Sequence, residues 1–199
     1  NTSSLGYVLG ETLIKSEEVF KKEKPDAVLI LGDTNSSIAG IIAKRLRIPI
    51  FHMESGNRSF DMNVPEEINR RIIDHVADFN LVYTEHARRH LLSEGHPHRR
   101  SYLTGSPMYE VLTDNMEKIN NSDIVNRLHL KKNNYFIVSV HREENVDNSK
   151  NLKQILNILN ELAENYNIPV VVSTHPRTRK RLELLKNITF NNQIQFLKP

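Results

Sequence analysis

Short apolar runs alternate along this chain with longer segments whose apolar residues recur at helical spacing, and that rhythm leaves few folds open. Leu5, Val8, Leu9, Leu13, Ile14 and Val19 predict a helix over 4–23, which Pro25 ends. Residues 27–31, Ala-Val-Leu-Ile-Leu, form an apolar run bounded by Pro25 and Gly32, the pattern of a strand buried on both faces. A helix over 36–46 and a strand over 49–53 follow. Pro65 then opens a helix to about 77, leading into a strand at 79–83. A helix at 85–93 and a short strand at 102–104 complete the first alternation. Strands that alternate with helices predict a parallel sheet wrapped by right-handed crossovers.

Between residues 106 and 134 the rhythm loosens, with polar stretches at 120–123 and 131–134 flanking short helical pieces. A domain boundary is expected here, giving domains 1–115 and 116–199. A second alternation begins beyond it: strand 135–140, helix 149–166, strand 168–173, helix 178–185 and a final strand at 194–197. The chain opens in a helix and stops after a strand, so both domains are expected to be incomplete and the chain an internal fragment.

Composition narrows the function classes only a little. A chain of 199 residues that is 38% hydrophobic and 26% charged is ordinary for a globular protein. It contains no apolar run of about 18 residues, the length a membrane span needs. It has no cysteine, which excludes disulfides, thiolate catalysis and cysteine-bound zinc, and suits the cytosol. The net charge of +3 is small, and aromatic residues are not interleaved with the basic ones, which argues against nucleic acid. No GxGxxG or Walker loop is present, and the histidines show no HExxH spacing, so no nicotinamide, nucleotide-triphosphate or metal motif is written here.

In open parallel sheets, ligands bind outside the carboxyl ends of the strands. Four predicted strands end in unusual polar residues: Gly32-Asp33-Thr34, His52-Met53-Glu54-Ser55-Gly56, His141-Arg142-Glu143-Glu144-Asn145 and Thr174-His175-Pro176-Arg177. If both halves face one cleft, two carboxylates and two histidines converge there. Each has a plainer role available. Asp33 can cap the following helix, and His141 and His175 can be hydrogen-bonded structural histidines. Glu66 and Glu67 lie four residues before Arg70 and Arg71, so both pairs can bridge on a solvated helix face, at about 0.2–0.5 kcal/mol each. One of these glutamates can instead face the cleft from the helix N-terminus, since neighbours on a helix point about 100° apart. The run Arg177, Arg179, Lys180 and Arg181 reads first as a solvated helix face.

Gly32-Asp33-Thr34, the 52–58 segment, Pro65-Glu66-Glu67-Ile68-Asn69-Arg70 and the 141–145 segment occur in the order seen in the non-hydrolysing UDP-N-acetylglucosamine 2-epimerase family, which this chain resembles over nearly its whole length. Gly56-Asn57-Arg58-Ser59-Phe60-Asp61, the 104–112 segment and His141 to Asp147 are most similar to the UDP-N-acetyl-L-fucosamine synthase branch. The resemblance implies a GT-B-like α/β fold: two Rossmann-like domains with parallel sheets and the nucleotide between them. It also implies that an amino-terminal βα segment and a later diphosphate-binding stretch lie outside this chain.

The activity implied is C2-epimerisation of a UDP-2-acetamido sugar by elimination of UDP across C1–C2 and re-addition. In the fucosamine branch this would form UDP-N-acetyl-L-fucosamine from its C2 epimer for capsule or O-antigen. The alternative within the family is interconversion of UDP-N-acetylglucosamine and UDP-N-acetylmannosamine. By resemblance Asp33, Glu54 and Glu66 supply the acid and base, and His141 stands at the leaving group. Arg70, Arg142, Glu144 and His175 contact the substrate, with no cofactor or metal required. A cytoplasmic homodimer acting on a UDP-sugar, without nucleic acid or membrane, completes the expectation. Outside the family, a GT-B glycosyltransferase or an inactive sugar-nucleotide-binding fragment would share these features.

Overall fold

The computed structural model describes residues 4–140, 143–184 and 189–198, arranged as two compact units, 1–114 and 115–199. In the first, Ser4 caps helix α1 (Leu5–Glu23) by accepting the Tyr7 N–H, and Lys24, in the left-handed conformation, ends it. Strand β1 (Val28–Leu31) follows, then a 3₁₀ turn (Asn35–Ile38) and α2 (Ala39–Arg45). Next come β2 (Ile50–Met53), α3 (Pro65–Val76), β3 (Phe79–Val82), α4 (Glu85–Ser93), β4 (Ser101–Leu103) and α5 (Met108–Asp114). The sheet order is β1-β2-β3-β4 and every pairing is parallel. The register pairs Leu31 with Met53, so β1 and β2 end side by side and release Asp33 and Glu54 at one edge.

Because consecutive strands are neighbours, their crossover helices pack on one face of the sheet. There Ala43, Ile50 and Ala77 are buried with Phe20, Val28 and Ile30, and Val82 is buried beside Ala87 and Leu91 of α4. The opposite face corrects the expectation for 27–31. Leu29 and Leu31 are 63% and 64% exposed, so β1 is buried on one face only. Alternate side chains point to opposite faces, and the described helices cover only the Val28–Ile30 side. The length of an apolar run could not reveal that.

The second unit contains α6 (Met116–Asn120), α7 (Ile124–Arg127), β5 (Phe136–Ser139) and α8 (Glu143–Val146). It continues through α9 (Ser149–Tyr166), β6 (Val170–Ser173), α10 (Pro176–Leu184) and β7 (Ile194–Leu197). Its strands are parallel in the order β5-β6-β7. Asn148 caps α9, and Leu152, Leu156, Leu159 and Ala163, spaced for one helical face, pack on Val170 and Val172. Among the described residues no helix is long and apolar enough to cross a membrane.

Candidate active site

The carboxyl edge of the first sheet gathers the predicted acidic residues. Asp33 does not cap the following helix, whose N-cap position is Thr34. Its Oδ2 instead accepts from Arg70 Nε at 2.9 Å, tying α3 to the end of β1. Glu54 sits just beyond β2 with its carboxylate over Gly32, where a Cβ on that glycine would lie 3.7 Å from Oε2. Asp33 and Glu54 therefore stand at adjacent strand ends, and among the described residues the Glu54 carboxylate has no hydrogen bond or ion pair. Its backbone has φ +65, an uncommon conformation for a residue with a side chain.

The first turn of α3 separates its two glutamates. Glu67 is fully buried. It accepts from the Ser59 backbone N–H at 2.8 Å, from Arg71 Nε at 2.8 Å and from Arg70 Nη1 at 3.0 Å. Burial would raise its pKa, but these donors outweigh it and bring it down to about 2. Glu66, one position earlier, is exposed and forms no such pair among the described residues. Of the two bridges expected from spacing, Glu67–Arg71 forms and Glu66–Arg70 does not. Arg70 turns to Asp33 and Glu67, which leaves Glu66 uncommitted.

No spacing in the sequence announced the network behind this edge. His52 is completely buried; Nδ1 faces Asp74 Oδ1 at 2.8 Å and Nε2 faces the Gly32 carbonyl at 3.0 Å. Asp74, also fully buried, accepts from Gly56 N at 3.1 Å and from Arg58 Nη1 at 2.7 Å. Arg58 Nε reaches Glu94 at 2.8 Å, and Arg71 Nη1 reaches the same carboxylate at 3.2 Å. The Arg58 guanidinium is held more firmly protonated than usual, because Glu94 and Asp74 overcome the effect of its burial. The contacts close a ring: Asp33, Arg70, Glu67, Arg71, Glu94, Arg58, Asp74, His52 and Gly32, the residue preceding Asp33. Four carboxylates alternate with three guanidiniums along it, so each carboxylate has a cationic neighbour in a poorly solvated place.

Tyr83, at the end of β3, also escaped the sequence reading. Burial first, and the nearby Glu54 charge second, raise the pKa of its phenol. The only prior signal was its place at a strand end.

In the second unit, His141 and Arg142 lie outside the described residues, and of Glu144 only the backbone, in α8, is described. His175 is exposed between β6 and α10, and its Nδ1 accepts from the Arg177 N–H at 3.3 Å. Arg177 and Arg181 both reach Asp147, which lowers that carboxyl to about 2. Two members of the basic run, read from the sequence as a solvated helix face, are thus ion-paired with Asp147.

One histidine cluster was not foreseen. His75, Glu94 and His96 place ligand atoms within 4.8 Å of one another. Their donor types would suit a transition metal, but Glu94 is already bound by Arg58 and Arg71, and two guanidiniums oppose a dication.

A model of the family described as UDP-N-acetylglucosamine 2-epimerase matches residues 1–199. The UDP-N-acetylglucosamine 2-epimerase of Methanocaldococcus jannaschii is 37% identical over 201 residues, covering 98% of this chain and 55% of that protein. The UDP-2,3-diacetamido-2,3-dideoxy-D-glucuronate 2-epimerase of Pseudomonas aeruginosa is 36% identical over 181 residues, covering 90% of this chain and 50% of its own length. Among solved structures, that of UDP-N-acetylglucosamine 2-epimerase from Rickettsia bellii matches with a TM-score of 0.89 at 50% identity, covering 98% of this chain and 52% of the other. The Methanocaldococcus jannaschii enzyme in complex with UDP-GlcNAc and UDP matches with a TM-score of 0.88 at 36% identity, covering 100% and 56%. The fold is therefore the parallel α/β, GT-B-like one of these epimerases. The chain spans about half the length of the curated relatives it matches.

Proposed function

This chain belongs to the UDP-N-acetylglucosamine 2-epimerase family, and on that premise we propose that its protein inverts C2 of a UDP-2-acetamido sugar. The carrying observation is the carboxyl edge of the first sheet. Asp33 is held against Arg70, whereas Glu54 and Glu66 are left without ion pairs of their own among the described residues.

The chemistry needs such a set. The C2 hydrogen of a 2-acetamido sugar has no adjacent carbonyl to stabilise a carbanion, so direct deprotonation is unfavourable. Removal of that proton by a carboxylate, with the C1–O bond breaking and UDP departing, gives a 2-acetamidoglycal. UDP then adds back at C1 while C2 takes a proton on the opposite face. Two proton-transfer groups and a cationic environment for the diphosphate are required. Glu54 and Glu66 are the uncommitted carboxylates for proton transfer, and Asp33 with Arg70 forms the polar wall beside them. His141 at the leaving group, and Arg142, Glu144 and His175 as nucleotide contacts, rest on the family resemblance.

Within the family we assign the substrate to the UDP-N-acetyl-L-fucosamine branch, in a homodimeric cytoplasmic enzyme of capsule or O-antigen formation. The motifs at 56–61, 104–112 and 141–147 support it. The relative acting on a UDP-2,3-diacetamido-2,3-dideoxy-D-glucuronate indicates that this family accommodates sugars other than N-acetylglucosamine.

The test is incubation of the full-length protein in D₂O with UDP-N-acetyl-L-fucosamine or UDP-N-acetylglucosamine, followed by NMR. Deuterium at C2 with a second epimer is expected, and the sugar that responds identifies the branch. Absence of exchange with both sugars would overturn the epimerase reading.

A further inference from the structure

Glu54 occupies the left-handed region at φ +65, where a residue with a Cβ is strained. A strained residue persists only if its surroundings over-determine it. Here the surroundings converge on one group. Two residues before Glu54, His52 Nδ1 meets Asp74 Oδ1 at 2.8 Å; two residues after, Gly56 N–H donates to Asp74 Oδ2 at 3.1 Å. Asp74 thus grips both flanks of the turn that presents Glu54, from the third turn of α3.

The grip is backed on every side. Asp74 and His52 are fully buried, so their polar contacts have no water to compete with them. Arg58 Nη1 donates to Asp74 at 2.7 Å and compensates its charge. His52 Nε2 extends the contact to the Gly32 carbonyl, and the Gly32 N–H donates to the Met53 carbonyl at 3.3 Å. The imidazole therefore links β2 directly to the end of β1 through Nε2 and to Asp74 on α3 through Nδ1. Behind the turn, Gly56 has φ +77, and a Cβ there would meet the Ala87 carbonyl oxygen at 2.4 Å. The loop therefore seats against α4 with no room to slide.

We propose that Asp74, acting through His52 and Gly56, is a positioning residue that holds Glu54 in its left-handed conformation and so presents its carboxylate at the carboxyl edge of the first sheet. This rests on Glu54 being a proton-transfer group of the proposed epimerase. Asp74 itself is fully buried behind that edge. Neither spacing nor residue type marks it in the sequence, where it reads as a polar residue late in an amphipathic helix.

Two measurements on the full-length protein test it. In the first, Asp74→Asn, which preserves shape but removes the charge, lowers kcat for C2 exchange by about 10²-fold while KM stays near its original value. Among His52 variants, His52→Asn retains a donor towards Asp74 and keeps more kcat than His52→Gln, whose donor reaches only towards Gly32. Equal losses in both, or a change confined to KM, would overturn the proposal. The second reads the strain without any substrate. Glu54→Gly melts higher than Glu54→Ala because glycine tolerates the left-handed region, and that gap narrows when Asp74→Asn is added. If Asp74→Asn does not fold, the gap is read in His52→Gln instead. A gap of zero, or one that Asp74 and His52 do not influence, would refute positional control. Lack of exchange in the wild type would sink the epimerase reading yet leave the melting gap readable, so the two failures are distinguishable.

Discussion

Arg70 Nε donates to Asp33 Oδ2 across 2.9 Å, joining the second turn of α3 to the end of β1. The same guanidinium reaches Glu67 through Nη1 at 3.0 Å, so its orientation is determined from both sides. A fork-shaped cation held this way ties the carboxylate at the end of β1 to the one buried within α3. Replacing Arg70 with Lys would keep the charge and lose the fork. We expect Arg70→Lys to lower kcat/KM for C2 exchange by about 10-fold or more, measured by steady-state NMR of exchange in D₂O.

The neighbouring glutamates of α3 should separate cleanly by assay. Glu66→Gln is expected to reduce C2 exchange by about 10²–10⁴-fold with the melting temperature unchanged, since its side chain is exposed. Glu67→Gln is expected to destabilise the first unit by roughly 1–3 kcal/mol, because buried donors lose their ionised acceptor. Chemical denaturation and exchange kinetics on the same two variants check both halves.

Glu67 also sets an acid limit. Its folded pKa, about 2, lies below the ordinary value of 4.5, so the stabilisation is fully present above pH 4.5. It fades as pH falls below 4.5 and is lost on passing through about 2. Glu94, lowered by Arg58 despite burial, acts in the same direction. The stability of the wild type between those pH values should fall more steeply than that of Glu67→Gln, read by urea denaturation at each pH.

Gly56 is the backbone position least able to accept a side chain. A Cβ would lie 2.4 Å from the Ala87 carbonyl oxygen, and φ is +77. We expect Gly56→Ala to cost on the order of 2–4 kcal/mol, combining left-handed strain with overpacking against a rigid helix backbone. Displacement of the Gly56 N–H from Asp74 by that clash should disturb exchange activity beyond the loss of stability, which denaturation and NMR together resolve.

Much of the fold was legible because local rules carry it. The run at 27–31, the helices announced at 85–93 and 149–166 and the strand at 194–197 follow from apolar period, caps and proline placement, and the helices at 85–93 and 149–166 occur with the bounds expected. The acidic residues at the strand ends were legible too, since parallel strands present their carboxyl ends to one edge. Which face of β1 would be covered was not legible: Leu29 and Leu31 look like core residues in a list, and only the helix positions leave them exposed.

Local pattern along the chain set the alternation of elements and the parallel sheets, and it placed Asp33 and Glu54 at strand ends and Glu66 and Glu67 in the first turn of a helix. Packing between distant segments then set the state of each carboxylate. Glu66 and Glu67 are chemically identical neighbours, yet one is exposed and the other buried among Ser59, Arg70 and Arg71. Asp74 and His52, 22 residues apart, become partners only when α3 packs against β2. A carboxylate's protonation and direction depend on donors and burial supplied by distant segments. Those are properties of packing, and no spacing along one chain encodes them locally.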